Sequence, residues 1–147
     1  MELLKQEPYE CWITSLAMLT QQSIDAVRHE FEETAGGGIP YHALFNMPDK
    51  WFLTSVILMD KYKLAVSYGS RMHPSMGTPT ERVRVNLTKK QLWGKGILCV
   101  SYSNSHGHAV GFEDGIIYDP AYNAPMSLIE WRKVIKIVKI WSIDRQA

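Results

Sequence analysis

Cys11 stands shortly after Gln6 and Pro8, at the head of CWITSLAMLT, a stretch apolar on almost every face. A loop leaving Pro8 meets the first turn of a buried helix there. Helix N-terminal N–H groups and the helix dipole stabilise a thiolate in that position, which makes the sulfur nucleophilic. Cys99, between Leu98 and Val100 of GILCVSY, instead reads as a small core residue. A cysteine nucleophile needs an imidazole to take its proton and a third group to hold the ring.

His108 and Asp119 supply that pair through hairpin arithmetic. Asp114-Gly115 is a two-residue turn signal between HAVGFE and GIIYD. With those two as the loop, Glu113 pairs with Ile116, Val110 faces Asp119 and His108 faces Ala121. His108 and Asp119 then become diagonal neighbours on one face, about 7–8 Å apart at the backbone. A three-residue turn would send Asp119 to the opposite face. His106 shares the parity of His108 but falls in the polar SNSHG turn, and a strand position fixes a general base better. His106 and His108 also read as two metal ligands, yet no Cys or carboxylate joins them at ligand spacing. Asp119 before Pro120 has a simple turn-forming reading too.

The elements that must carry these residues follow from periodicity. After the first helix, Ser23 opens a second with Ile24, Val27 and Phe31 on one face. GGGIP (Gly36 to Pro40) ends it as a loop. Trp51 to Tyr62 forms a third helix with Phe52, Val56 and Met59 on one face, and Leu64 to Tyr68 a short strand. Gly69 to Thr80 is irregular, a mobile wall or lid beside a cleft. Gly96 to Tyr102, His108 to Glu113 and Gly115 to Asp119 alternate as strands. Ser127-x-x-Glu130 is a capping box. KVIKIVKIWSI closes as a strand with a bulge between Ile137 and Val138. Helices first and antiparallel strands after give an α+β fold, expected as one domain over residues 1–147.

Composition sets the outer bounds. A chain of 147 residues, 46% hydrophobic and 21% charged, is globular rather than disordered. Sixteen basic against fifteen acidic residues leave +1, which argues against nucleic acid or an anionic membrane surface as the main partner. Two cysteines make neither a disulfide framework nor a four-cysteine zinc site. MELLKQEPYE lacks the apolar core of a signal peptide, and no apolar run approaches the ~20 residues of a membrane span. A reducing, cytoplasmic setting is the expectation. The five tryptophans read as core and rim packing.

Gln6, the Cys11 helix, GHAVGFEDG and IIYDP together resemble a papain-like cysteine peptidase, closest in pattern to the double-glycine leader peptidases and their stand-alone relatives in bacteria and phages. The resemblance implies a helical lobe packed on a C-terminal antiparallel sheet, with nearly the whole chain covered. It also implies that Gln6 supplies an oxyanion-hole donor, Cys11 the nucleophile, His108 the base and Asp119 its orienter, with no cofactor. The expected substrate is a peptide or protein. Of papain's own motif around the cysteine only Cys-Trp stands here, and bulky Trp12 replaces the small residue usual in the leader peptidases. Trp12 either crowds the cleft or packs beneath it. Two other activities fit the same residues: an inactive binding or inhibitory module, and a deamidase or transglutaminase.

Overall fold

Helix α1 (Cys11–Thr20) is buried from Trp12 through Leu19, as a segment apolar all round must be. Its interior hydroxyl at Ser15 is satisfied within the helix, donating to the Cys11 carbonyl at 2.7 Å. The computed structural model describes residues 1–69, 87–103 and 106–147, with the backbone alone at 103 and 106. Helix α2 (Ile24–Thr34) starts as expected, with the Ser23 hydroxyl accepting from the Ala26 N–H, and buries Val27 and Phe31. Each of the three glycines after it has a positive φ.

Two helical details depart from the periodicity. A four-residue turn, α3 (Tyr41–Leu44), follows Pro40 and is pinned by the buried Tyr41 and Leu44. Helix α4 (Pro48–Lys61) begins before Trp51, because proline suits a first helical turn. Its buried stripe is Trp51, Thr54, Ser55, Leu58 and Met59, with Phe52 and Val56 only half-buried at its margin. Thr54 and Ser55 tolerate burial because their hydroxyls donate to the Lys50 and Phe52 carbonyls, each at 2.7 Å. Apolar spacing alone therefore finds Met59 but not the two hydroxyl residues of the buried stripe.

The strands are β1 (Leu64–Gly69), β2 (Lys95–Ser103), β3 (His106–Glu113), β4 (Ile116–Tyr118), β5 (Met126–Ser127) and β6 (Lys139–Gln146). Among the described residues they form one antiparallel sheet in the order β1-β6-β2-β3-β4-β5, so the fold is α+β. The strand β3 begins at His106, earlier than expected. The irregular segment expected from Gly69 falls on 70–80, outside the described residues; Gly69 itself ends β1. The last strand starts later than expected. The Ser127–Glu130 capping box drives α5 (Leu128–Val134), which takes Lys133 and Val134. The bulge is not at Ile137/Val138 but at Trp141, where the register steps from Cys99↔Ser142 to Val100↔Ile140. That extra residue lets the buried Trp141 indole donate to Ser101 Oγ at 2.6 Å.

The sheet separates two apolar clusters. Ile97 and Ala109 pack beneath α1, α2 and α4 with Leu16, Phe31 and Trp51. Leu98, Val100, Val110 and Phe112 pack with Trp131 of α5 on the other side. Among the described residues no helix is long and apolar enough to cross a membrane. Between β2 and its neighbours there is no room for a Cβ at Gly96: it would lie 2.1 Å from the Asp144 carbonyl oxygen and 2.5 Å from Phe112 Cζ. Gly96→Ala is therefore expected to lower stability by about 3 kcal/mol, read as a reduced urea midpoint at unchanged m-value.

Candidate functional site

The loop that presents Cys11 is a tight turn. Glu10 N–H donates to the Glu7 carbonyl at 3.1 Å, with Pro8 and Tyr9 between. Proline fixes its own φ near −65° and Tyr9 has φ 65°, which makes the turn type II. A tyrosine held left-handed costs about 1–2 kcal/mol; its exposed ring rests on Phe45, centroids 5.7 Å apart. Cys11 follows as the half-buried first residue of α1. Trp12 turns inward and packs edge-on against Phe31 and Trp51, so it lies beneath the surface rather than in a cleft.

The β3–β4 turn has the two-residue geometry, with Asp114 at φ 49° and Gly115 at φ 84°. Gly111 pairs with Tyr118, Phe112 with Ile117 and Glu113 with Ile116. Because β4 ends at Tyr118, the next stretch of β3 is bordered by Asp119 and Pro120 instead of a strand. His108 Nε2 and Asp119 Oδ1 are 2.7 Å apart, with the ring 8% exposed and the carboxylate fully buried. Asp119 also forms a turn, accepting from the Ala121 N–H at 2.9 Å. Its turn-forming and ring-holding readings hold together. Its second oxygen accepts from Trp131 Nε1 at 2.9 Å, and Tyr102 lies edge-on to the His108 ring at 5.8 Å.

Cys11 belongs with the cluster under α1 and Trp131 with the opposite one. His108 is hydrogen-bonded to Asp119 and lies near enough to Cys11 for the two to influence one another's protonation. With Nε2 committed to Asp119, the ring nitrogen left for the sulfur is Nδ1. Burial disfavours the imidazolium, but the Asp119 hydrogen bond and the charges of Asp119 and Cys11 outweigh it and push the His108 pKa up to about 10. Burial likewise opposes the Asp119 carboxylate, yet His108, the Trp131 indole and the Ala121 amide hold its pKa below the ordinary value. Cys99 is different. It is half-buried mid-strand, and desolvation with the nearby Asp144 charge pushes its thiol well up.

Gln6 arrives on a strap rather than an element. Met1 packs its sulfur near Gly111, where an added Cβ would lie 2.9 Å from it. The Gln6 N–H donates to the Pro120 carbonyl at 3.0 Å, beside Asp119. Gln6 Oε1 is buried and takes no hydrogen bond, which is rare for a purely structural amide. His106 contributes backbone to β3, and its side chain lies outside the described residues. An open hollow of about 300 Å³ lined by Leu4, Glu7, Ile24 and Arg28 includes neither Cys11 nor His108.

The sequence reading missed Trp131 and Tyr102. A tryptophan following a capping box is a weak pointer, since a buried indole N–H must find an acceptor, but nothing local says which. No family model, curated protein or solved structure matches the chain.

The pair makes a pH window. A folded-state pKa of about 10 for His108, above its ordinary 6.5, gives stability that is complete below 6.5 and lost as pH rises through 10. The lowered Asp119 pKa adds stability present above its ordinary 3.8 and lost as pH falls through the folded value. In ring-nitrogen NMR, His108 is expected to remain imidazolium at about pH 8, while Asp119→Asn brings its titration down by about 2 units or more. An imidazole already neutral at that pH in the wild type contradicts the assignment.

Proposed function

We propose that this chain is a cysteine hydrolase of papain-like architecture, acting by acyl transfer on an amide or ester carbonyl of a peptide or protein. The observation that carries the reading is His108 held at 2.7 Å by a buried Asp119 while lying close enough to Cys11 to feel its charge. In this mechanism the Cys11 proton already rests on His108 in the resting enzyme, and the thiolate sulfur attacks the carbonyl carbon. The oxyanion is held by the Cys11 N–H and the Gln6 side-chain amide. His108 then gives its proton to the leaving group, and the acyl group remains on sulfur as a thioester. Water, deprotonated by His108, releases the acid and regenerates the thiolate. An amine in place of water makes the same site a transferase, and a glutamine side chain as substrate makes it a deamidase.

The reading of an inactive binding module drew on Trp12 as an obstruction. Trp12 packs against Phe31 and Trp51 in the core, so that support falls away.

Alkylation by iodoacetamide at neutral pH tests the nucleophile. Cys11 is expected to react at least about tenfold faster than a free thiol, and His108→Ala to bring it down to the free-thiol rate. An epoxysuccinate inhibitor should add once, at Cys11, by mass. A rate equal to that of a free thiol and unmoved by His108→Ala sinks the hydrolase. Gln6→Ala should leave alkylation intact and slow p-nitrophenyl acetate turnover about 10²–10³-fold.

A further inference from the structure

The residue next to the nucleophile is a carboxylate. Glu10 immediately precedes α1, and a free charge there would oppose a neighbouring thiolate. It would also compete for the helix N-terminus, where acidic side chains bind favourably. Glu10 does not cap α1. Both its oxygens accept instead from Arg28 of α2, Nε to Oε1 at 2.8 Å and Nη2 to Oε2 at 2.6 Å. This is the planar two-point grip that arginine makes with a carboxylate and lysine does not. The Glu10 side chain is 12% exposed and Arg28 26%, so solvent screens the pair only in part. Asp25, on the same face of α2, holds Arg28 from the other side.

His108 of β3, Tyr41 of α3 and Cys99 of β2 each feel the charge of Cys11. Burial pushes the Tyr41 hydroxyl and the Cys99 thiol up, so both are neutral at neutral pH. Asp119 is bound to His108. Helix α1 itself carries no charged side chain, and Lys5 and Glu7 on the strap are exposed. Tyr41 feels Cys11, Glu10 and Arg28 together, which places all four in one neighbourhood.

We propose that Arg28 is a positioning residue for the nucleophile: by clamping Glu10 it cancels a negative charge beside Cys11 and keeps that carboxylate off the N-terminus of α1. The inference rests on the reading of Cys11 as the nucleophile.

The test is the rate of Cys11 alkylation by iodoacetamide, followed from mildly acid to mildly alkaline pH, in four forms of the full chain. Arg28→Ala is expected to lower the neutral-pH rate about tenfold and to move the profile to higher pH. The double variant Glu10→Gln/Arg28→Ala should return to within about twofold of the wild type, since no unpaired charge is left. A purely structural role predicts the reverse, a double variant at least as impaired as the single one. Glu10→Gln alone should match or exceed the wild type, and it decides the matter if Arg28→Ala does not fold. A tenfold fall in Glu10→Gln overturns the role of Arg28, as does an Arg28→Ala rate equal to the wild type or a double variant that is not restored. Wild-type alkylation no faster than a free thiol and indifferent to His108→Ala overturns the nucleophile reading, and this inference with it.

Discussion

A carboxylate taken fully out of water is costly unless charge and hydrogen bonds replace its hydration, and Asp119 is such a group. Its replacements come from three places: His108 of β3, the Ala121 amide just past the Asp-Pro step, and the Trp131 indole of α5. Each donor belongs to a different piece of chain, so the anion gathers them to one point at the open flank of β3. The Pro120 carbonyl then takes the Gln6 amide, bringing the strap that leads into α1. Because a carboxylate engaged on both oxygens stays ionised, the ring beside it keeps its proton and its orientation.

The two cysteines stand in different surroundings. Cys99 sits mid-strand, wrapped by the apolar side under α1, with Ser142 and the buried Asp144 nearby. Burial and a like charge both oppose its thiolate. Cys11 has the same side chain at a helix start, near the His108 ring and flanked by a carboxylate paired with Arg28. The turn that delivers it holds Tyr9 in a left-handed conformation. Strain of that kind gathers where geometry serves function.

Much of the site was legible because its determinants are local. Asp-Gly demands positive φ at both turn positions, and once that turn is placed, strand alternation fixes the pairing of Glu113 with Ile116 and brings Asp119 to His108. Cys11 was legible because Pro8 and an all-apolar run mark a loop meeting a buried helix. Trp131 and Arg28 were not, since their partners lie 12 and 18 residues away in sequence and only packing brings them together. Thr54 and Ser55 of the buried stripe of α4 were not legible, because they satisfy their own hydroxyls on the helix backbone. The start of β6 was misread because a capping box prolonged α5 into residues whose β-branched pattern suits a strand. The α+β class was legible from the order of elements, without any single residue deciding it.

The strand order has a consequence for biosynthesis. β6, formed by residues 139–146, lies between β1 and β2 rather than at an edge. A nascent chain that has already released its helices and the β2–β3–β4 meander still exposes one long side of β2, with unpaired amides and carbonyls open to other chains. Closing that gap requires residues 139–146 to emerge from the ribosome and insert between strands made far apart in time, a non-local step that is slow by nature. Any nucleophilic sulfur at residue 11 is thus synthesised early but framed late, when translation of the sheet is complete.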